Sequence, residues 1–189
     1  MILTEQKIIF FESFILNTDE KITASQIAKK HNLNQKSIYL FLEDLEKQGI
    51  LISEMQGKNK LYQLNKSNQE LVRHFLCLIE HLRTFYFYHE NPNIKLIIQK
   101  ILPYIQGIAA IFGSYAKNTQ KETSDLDIFI IGNYDEEKIA SISSTFNIDV
   151  NIKHQKSFKQ NRLIKEVEKN HILIKNIEQF IQEVNQWIN

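Results

Sequence analysis

Two short apolar runs in the second half of the chain, joined by a polar segment, constrain its fold more than any other feature. Residues 107–112 and 126–131 are rich in apolar side chains over the length of a strand, which predicts two buried β-strands. The first run ends at Gly113-Ser114, and the second begins at a pair of aspartates. This strand–turn–strand order predicts an α/β region with polar groups gathered where the strands end or begin.

The pair of aspartates consists of Asp125 and Asp127, on either side of Leu126. Side chains two residues apart in a strand point to the same face, so the two carboxylates are expected side by side. Such a pair would repel without a cation, and Mg²⁺ prefers oxygen ligands. Asp125 alone would be explained by a turn or an N-cap. A turn or an N-cap does not explain Asp127 as easily, because an unpaired carboxylate beside a buried strand is energetically costly.

The Gly113-Ser114 pair follows the first strand at the start of a helical turn. Gly113 allows the backbone to approach a phosphate closely, and Ser114 offers a hydroxyl and an N–H at a helix start, where anions are favoured. A Gly-Ser pair by itself more often marks only the turn that ends a strand. Beside two carboxylates that bind a metal, it indicates nucleotidyl or phosphoryl transfer with metal assistance.

The spacing of these residues resembles that of the nucleotidyltransferase superfamily related to DNA polymerase beta. The match is to the small, minimal nucleotidyltransferases of prokaryotes, in which Gly-Ser is followed by ten residues and then Asp-x-Asp, as in residues 113–127 here. The resemblance covers residues 105–175. It implies two Mg²⁺ ions held by Asp125 and Asp127, and ATP or another NTP as the substrate.

A third carboxylate on a neighbouring strand is common in this family, and Asp149 offers one. In a strand predicted over residues 146–152, Ile148 and Val150 would point into the core and Asp149 to the opposite face, towards the aspartate pair. The resemblance implies that Asp149 completes the metal site and orients the attacking hydroxyl as a base. An exposed strand residue outside the site explains Asp149 about equally well.

The sequence departs from the family at Lys117 and Asn118, where an Arg-Gly pair is common. Lys117 keeps the positive charge, and we assign it to nucleotide binding together with Gly113 and Ser114. It lacks the bidentate fork of arginine. The turn also lacks the glycine that the family has at this point.

The first third of the chain resembles a winged helix-turn-helix domain. Residues 24–48 predict two helices with a short turn between them, and residues 50–64 predict a hairpin in the place of the wing. The candidate DNA contacts lie at the start of the second helix and on the hairpin: Gln35, Lys36, Ser37, Tyr39, Lys58 and Lys60. Because residues 1–66 hold nine lysines against eight acidic residues, docking of a protein is the alternative.

Composition excludes several classes of protein. A net charge of +1 over 189 residues gives no general attraction to nucleic acid or membrane, and the single cysteine excludes an intrachain disulfide framework. The first residues show no signal peptide, and no apolar run approaches the roughly 20 residues that span a bilayer. A cytoplasmic protein without membrane contact is expected.

These observations predict an α+β chain with a winged helix-turn-helix domain at residues 1–66, a helical linker at 67–104 and a minimal nucleotidyltransferase domain at 105–189. The expected reaction transfers AMP from ATP, or another nucleoside monophosphate, to a hydroxyl. By resemblance, the acceptor would be a partner toxin of the HEPN type. The alternative is a DNA-binding regulator that only senses the nucleotide. A homodimer is compatible with either.

Overall fold

The computed structural model describes residues 20–185 together with Phe11 and Phe14, and the chain divides into two units. One unit comprises Met1–Ile79 and Asn185–Asn189, and the other Glu80–Val184. The sequence also predicts a helix over residues 4–16, which lies outside the described residues except for Phe11 and Phe14, both helical and buried. The boundaries predicted after residues 66 and 104 stay predictions.

The elements follow one another in chain order. The helices are α1 (Ala24–His31), α2 (Gln35–Lys47), α3 (Gln69–Glu90), α4 (Pro92–Ile101), α5 (Gly113–Ala116), α6 (Glu136–Phe146), α7 (Arg162–Lys169) and α8 (Ile177–Val184), with a 3-10 turn at Leu102–Tyr104. The strands are β1 (Leu51–Gln56), β2 (Asn59–Leu64), β3 (Ile105–Ile111), β4 (Leu126–Tyr134), β5 (Val150–Gln155) and β6 (Ile172–Lys175).

The first unit has the predicted order of two helices and a hairpin. Thr23 caps α1 in a reciprocal capping box with Gln26, and the side chain of Asn34 caps α2 by accepting from the backbone N–H of Ser37. Strands β1 and β2 pair antiparallel. This order is compatible with a winged helix-turn-helix domain, an assignment that stays a prediction.

The second unit is built on a four-stranded mixed sheet in the order β5-β4-β3-β6. Strand β3 pairs antiparallel with β4 and β6, whereas β4 pairs parallel with β5. Buried isoleucines from β3, β4 and α4 form the core under the sheet. This arrangement confirms the mixed α+β class and places the starts of β4 and β5 beside each other.

Three predicted boundaries in the second unit were wrong. The strand expected from residue 146 starts at Val150, because α6 continues through Phe146 and ends at Asn147, whose φ of 53° stops the helix. A helix that the sequence predicts over residues 93–105 ends at Ile101, ahead of Pro103 in the 3-10 turn, because proline cannot donate a helical hydrogen bond. A helix that the sequence predicts over residues 157–168 starts instead at Arg162, after the cap residue Asn161.

Across residues 20–185, no helix combines the length and apolar character that crossing a membrane requires.

Candidate active site

The turn after β3 lies beside the beginning of β4. The backbone N–H of Phe112 donates to the carbonyl of Asp127 at 3.0 Å, which carries the pairing of the two strands past the end of β3. Helix α5 starts at the next residue, Gly113, whose φ is 70°. The two halves of the sequence motif, ten residues apart along the chain, therefore meet in space.

Gly113 is in van der Waals reach of the carboxylate of Asp127. A Cβ placed on Gly113 would lie 2.2 Å from Oδ2 of Asp127, closer than real Cβ atoms approach another heavy atom, and 3.0 Å from its Cγ. The positive φ of Gly113 is also unfavourable for an L side chain. A side chain at this position would be strained by the positive φ and would displace the Asp127 carboxylate, so glycine is what lets that carboxylate face the turn.

Asp125 and Asp127 bracket a fully buried residue, Leu126. Asp125 directly precedes β4 and is exposed, whereas Asp127 is half-buried in the strand. Continuing the strand alternation back by one residue puts both carboxylates on the same face of the sheet. The burial of Leu126 thus anchors the strand that presents the pair.

Asp149 lies next to this pair at the start of the neighbouring strand. The backbone N–H of Leu126 donates to the carbonyl of Asp149 at 2.7 Å, and the parallel register joins Leu126 to Val150. Continued by one residue, that register sets Asp149 opposite Asp125. The residues on either side of it, Ile148 and Val150, pack against the core as predicted, and the Asp149 side chain is exposed.

Sequence reasoning missed Asn151, which contacts the predicted site directly. Its Nδ2 donates a hydrogen bond to Oδ1 of Asp127 at 2.9 Å. The two residues are Cα partners in the parallel pair β4–β5. The signal was present in the sequence, because the alternation that turns Asp149 to one face of β5 turns Asn151 to the same face.

The described part of the chain contains no group of three or more His, Cys, Asp or Glu side chains arranged to hold a metal. The three-carboxylate arrangement of Asp125, Asp127 and Asp149 therefore stays a prediction. Mg²⁺ is commonly held by one or two carboxylates with waters and substrate phosphates as the remaining ligands. Asp125 and Asp127 fit that kind of site.

The α5 turn is closed by backbone hydrogen bonds. The carbonyl of Gly113 accepts from the N–H of Lys117, and that of Ser114 accepts from the N–H of Thr119. Asn118 adopts a φ of 53°, a left-handed conformation that asparagine tolerates better than most residues. Asn118 therefore supplies the backbone shape for which the family pattern has glycine.

Lys117 is exposed at the end of this turn. Its Nζ lies 3.8 Å from Oε1 of Glu166, and both side chains are about half exposed, at 43% and 55%. An exposed ion pair of this length is weak. The ammonium group thus remains accessible to a negatively charged ligand.

In the first unit, most candidate DNA contacts are exposed. Gln35, Lys36, Ser37 and Tyr39 lie on the first turns of α2, and Lys58 lies in the β1–β2 turn.

Lys60 differs from the other candidates because it is bound within the unit. Its ammonium group donates to Glu43 and, at 2.7 Å, to Oε2 of Glu46. The hydrogen bonds to these carboxylates raise the pKa of Lys60, and the hydrogen bond from Lys60 lowers the pKa of Glu43 and of Glu46. A lysine held by two carboxylates joins α2 to β2, and this geometry gives no support to its predicted role in DNA binding.

The comparisons with known proteins agree with the geometry of the second unit. The family model for the nucleotidyltransferase domain matches residues 92–187, which is half of the chain and includes all of the candidate site. No solved structure matches the chain.

A protein of Methanocaldococcus jannaschii that carries the provisional name of protein adenylyltransferase is 55% identical over 42 residues, which are 20% of this chain and 45% of that relative. The match thus spans less than half the length of the relative. Since the family model covers half of the residues, from α4 onwards, the chain belongs to the nucleotidyltransferase domain family.

Proposed function

We propose that this protein is an Mg²⁺-dependent nucleotidyltransferase that transfers AMP from ATP to a hydroxyl group of a partner protein, with pyrophosphate as the leaving group. The observation that carries the proposal is the contact between Gly113 and the carboxylate of Asp127. It joins a turn suited to phosphate with a carboxylate suited to metal, the two parts that metal-assisted transfer to a hydroxyl requires.

Each residue of the candidate site would have a separate role in the transfer. Asp125 and Asp127 would hold the metal, and the turn at Gly113 and Ser114 would receive the phosphates, with Lys117 adding positive charge. When bound, Mg²⁺ would polarise the reacting phosphate and neutralise the charge that develops on it. Asp149, on the neighbouring strand, would accept the proton of the attacking hydroxyl.

The choice of a protein as acceptor rests on the name of the relative from Methanocaldococcus jannaschii. By family resemblance we extend it to a toxin of the HEPN type. In that case the acceptor hydroxyl would belong to a tyrosine of the toxin.

Labelling with α-³²P-ATP tests the reaction. The protein is incubated with Mg²⁺, labelled ATP and candidate partners that include a HEPN-type toxin, and label on the partner is measured. We expect Asp149→Asn to retain ATP binding and to lower transfer about 100-fold or more, the range of lost acid–base or electrostatic assistance. Transfer at the rate of the unaltered protein would remove Asp149 from the reaction.

A second candidate function is DNA binding by the first unit as a winged helix-turn-helix domain. The first turns of α2, which carry Lys36, are exposed and favour this function.

A gel-shift titration on the promoter of the protein's own gene, with and without ATP, tests DNA binding. We expect Lys36→Ala to weaken binding and Lys60→Ala to leave the salt dependence unchanged, because the charge of Lys60 is already neutralised by Glu43 and Glu46. Specific binding modulated by ATP, without release of pyrophosphate, would favour the regulator over the enzyme.

A further inference from the structure

The two carboxylate oxygens of Asp127 have different neighbours. Oδ1 accepts the hydrogen bond from Nδ2 of Asn151 at 2.9 Å. Oδ2 lies on the side of Gly113, at 2.2 Å from the position that a Cβ would take. The carboxylate is thus held by a strand on one side and faces the α5 turn on the other.

We propose that Asn151 is a positioning residue for nucleotidyl transfer, which fixes the rotation of the Asp127 carboxylate so that Oδ2 stays turned towards the α5 turn. The inference rests on the proposed function, since it concerns the ligand of the metal in that reaction. The χ2 angle of an aspartate has a broad, roughly two-fold distribution, so a carboxylate without a hydrogen-bond partner samples many orientations. The amide of Asn151 restricts them before the metal arrives.

The expected effect is on metal affinity and not on folding. Groups that hold a metal ligand from outside typically change metal affinity or activity about 10–100-fold when they are removed. Asn151 is exposed, and a hydrogen bond of this kind contributes only about 0.5–1.5 kcal/mol to stability. Because Asn151 is hydrogen-bonded to Asp127, removing its side chain should change ATP binding only by weakening the binding of the metal.

Calorimetric titration with ATP at a series of Mg²⁺ concentrations tests the inference. We expect Asn151→Ala to raise the Mg²⁺ concentration needed for half-maximal ATP binding about 10-fold or more, with ATP affinity at saturating Mg²⁺ kept within about two-fold. Asn133→Ala is the matched control, because Asn133 is also an exposed strand asparagine but lies near the far end of β4. It should leave both quantities unchanged.

Two results would overturn the inference. In the first, Asn151→Ala reaches half-maximal ATP binding at the same Mg²⁺ concentration as the unaltered protein. In the second, Asn151→Ala loses ATP affinity equally at every Mg²⁺ concentration, which would indicate a structural effect or a direct contact with ATP. If Asn151→Ala does not fold, Asn151→Thr repeats the test with a residue that favours strands. Failure of the unaltered protein to bind ATP with Mg²⁺ is a different result, which would overturn the proposed function and this inference with it.

Discussion

At the scale of single residues, the shape of the α5 turn depends on two backbone positions with positive φ, Gly113 and Asn118. The two differ in what surrounds them. A side chain on Gly113 would meet the carboxylate of Asp127, whereas Asn118 is exposed and needs only a residue that tolerates the left-handed conformation. Their substitutions should therefore affect different properties.

Gly113→Ala is expected to abolish binding of ATP with Mg²⁺ and to destabilise the protein, because the new methyl group would displace Asp127. Gly57→Ala is the matched control: Gly57 has a φ of 63°, but its Cβ would meet nothing within 4 Å. Gly57→Ala should lower the free energy of unfolding by only about 1–2 kcal/mol, through the strain of the left-handed conformation, and should leave ATP binding intact. Denaturant unfolding and calorimetry measure the two effects. Equal ATP binding by both variants would show that the Gly113–Asp127 contact has no role.

Asn118→Gly is expected to keep ATP binding, because glycine adopts the same left-handed conformation without strain. Asn118→Val should lower the free energy of unfolding by about 1–2 kcal/mol, since a β-branched residue is unfavourable at positive φ. Urea unfolding of the two variants provides the measurement. If Val were tolerated as well as Gly, the left-handed turn would not be formed in solution.

At the scale of elements, buried charged groups tie α3 to the segment that leads into β6. Arg83 on α3 donates to Oε1 of Glu80 at 2.8 Å and to the carbonyl of His171 at 2.9 Å. The ring of His171 also lies 3.3 Å from Oε1 of Glu80. These side chains are almost fully buried and have lost their hydration. Their mutual interactions compensate for that loss.

Arg83→Leu should destabilise the protein by about 3–5 kcal/mol, the usual cost of leaving one member of a buried ion pair without its partner. Arg162→Leu serves as the control, because Arg162 is exposed, and changes of this kind on the surface usually stay within about 0.5 kcal/mol. Chemical unfolding at neutral pH distinguishes them. A similar small loss in both variants would mean that the buried charges are not coupled.

The same groups predict how stability depends on pH. Burial by itself would raise the pKa of Glu80, but the charges of Arg83 and His171 and their hydrogen bonds bring it below its ordinary value of 4.5. A carboxylate with a lowered pKa adds stability above the pKa of the unfolded chain and loses it as the pH falls through the folded pKa.

We therefore expect unfolding titrations to show a loss of stability as the pH falls below about 4.5, the ordinary value for this carboxyl group. Glu80→Gln should be less stable at neutral pH and lose less on acidification. The same decline in both proteins would assign the acid sensitivity to other carboxylates.

Some elements were predictable from the sequence because local signals define them. Threonine and asparagine favour N-caps and glycine favours the positive φ that follows a helix, and Thr23, Asn34 and Gly49 have these roles in the structure. The short strand β6 was not predicted. Its four residues carry no period that distinguishes strand from helix, and pairing with β3 defines it.

At the scale of the whole molecule, the sequence predicted the pieces of the site better than their contacts. The spacing from Gly113 to Asp127 was enough to indicate a nucleotidyltransferase, and the family match confirms that class. Strand alternation places Asn151 on the same face as Asp149, but its partner Asp127 and the partners of Lys60 lie 14 or more positions away along the chain, so the contacts themselves follow only from the pairing of the elements. Long-range pairing, and not local propensity, determines those contacts.

Calorimetric titration of ATP in the presence of Mg²⁺ onto the unaltered protein and onto Asp127→Asn tests the central claim most directly. Asp127→Asn replaces one carboxylate oxygen by an amide nitrogen, which removes the negative charge and nearly preserves volume, and Asp44→Asn in the first unit is the control for an exposed aspartate. The account predicts Mg²⁺-dependent binding by the unaltered protein and by Asp44→Asn, and its loss in Asp127→Asn. Binding by Asp127→Asn with the affinity of the unaltered protein would contradict the assignment of the metal site.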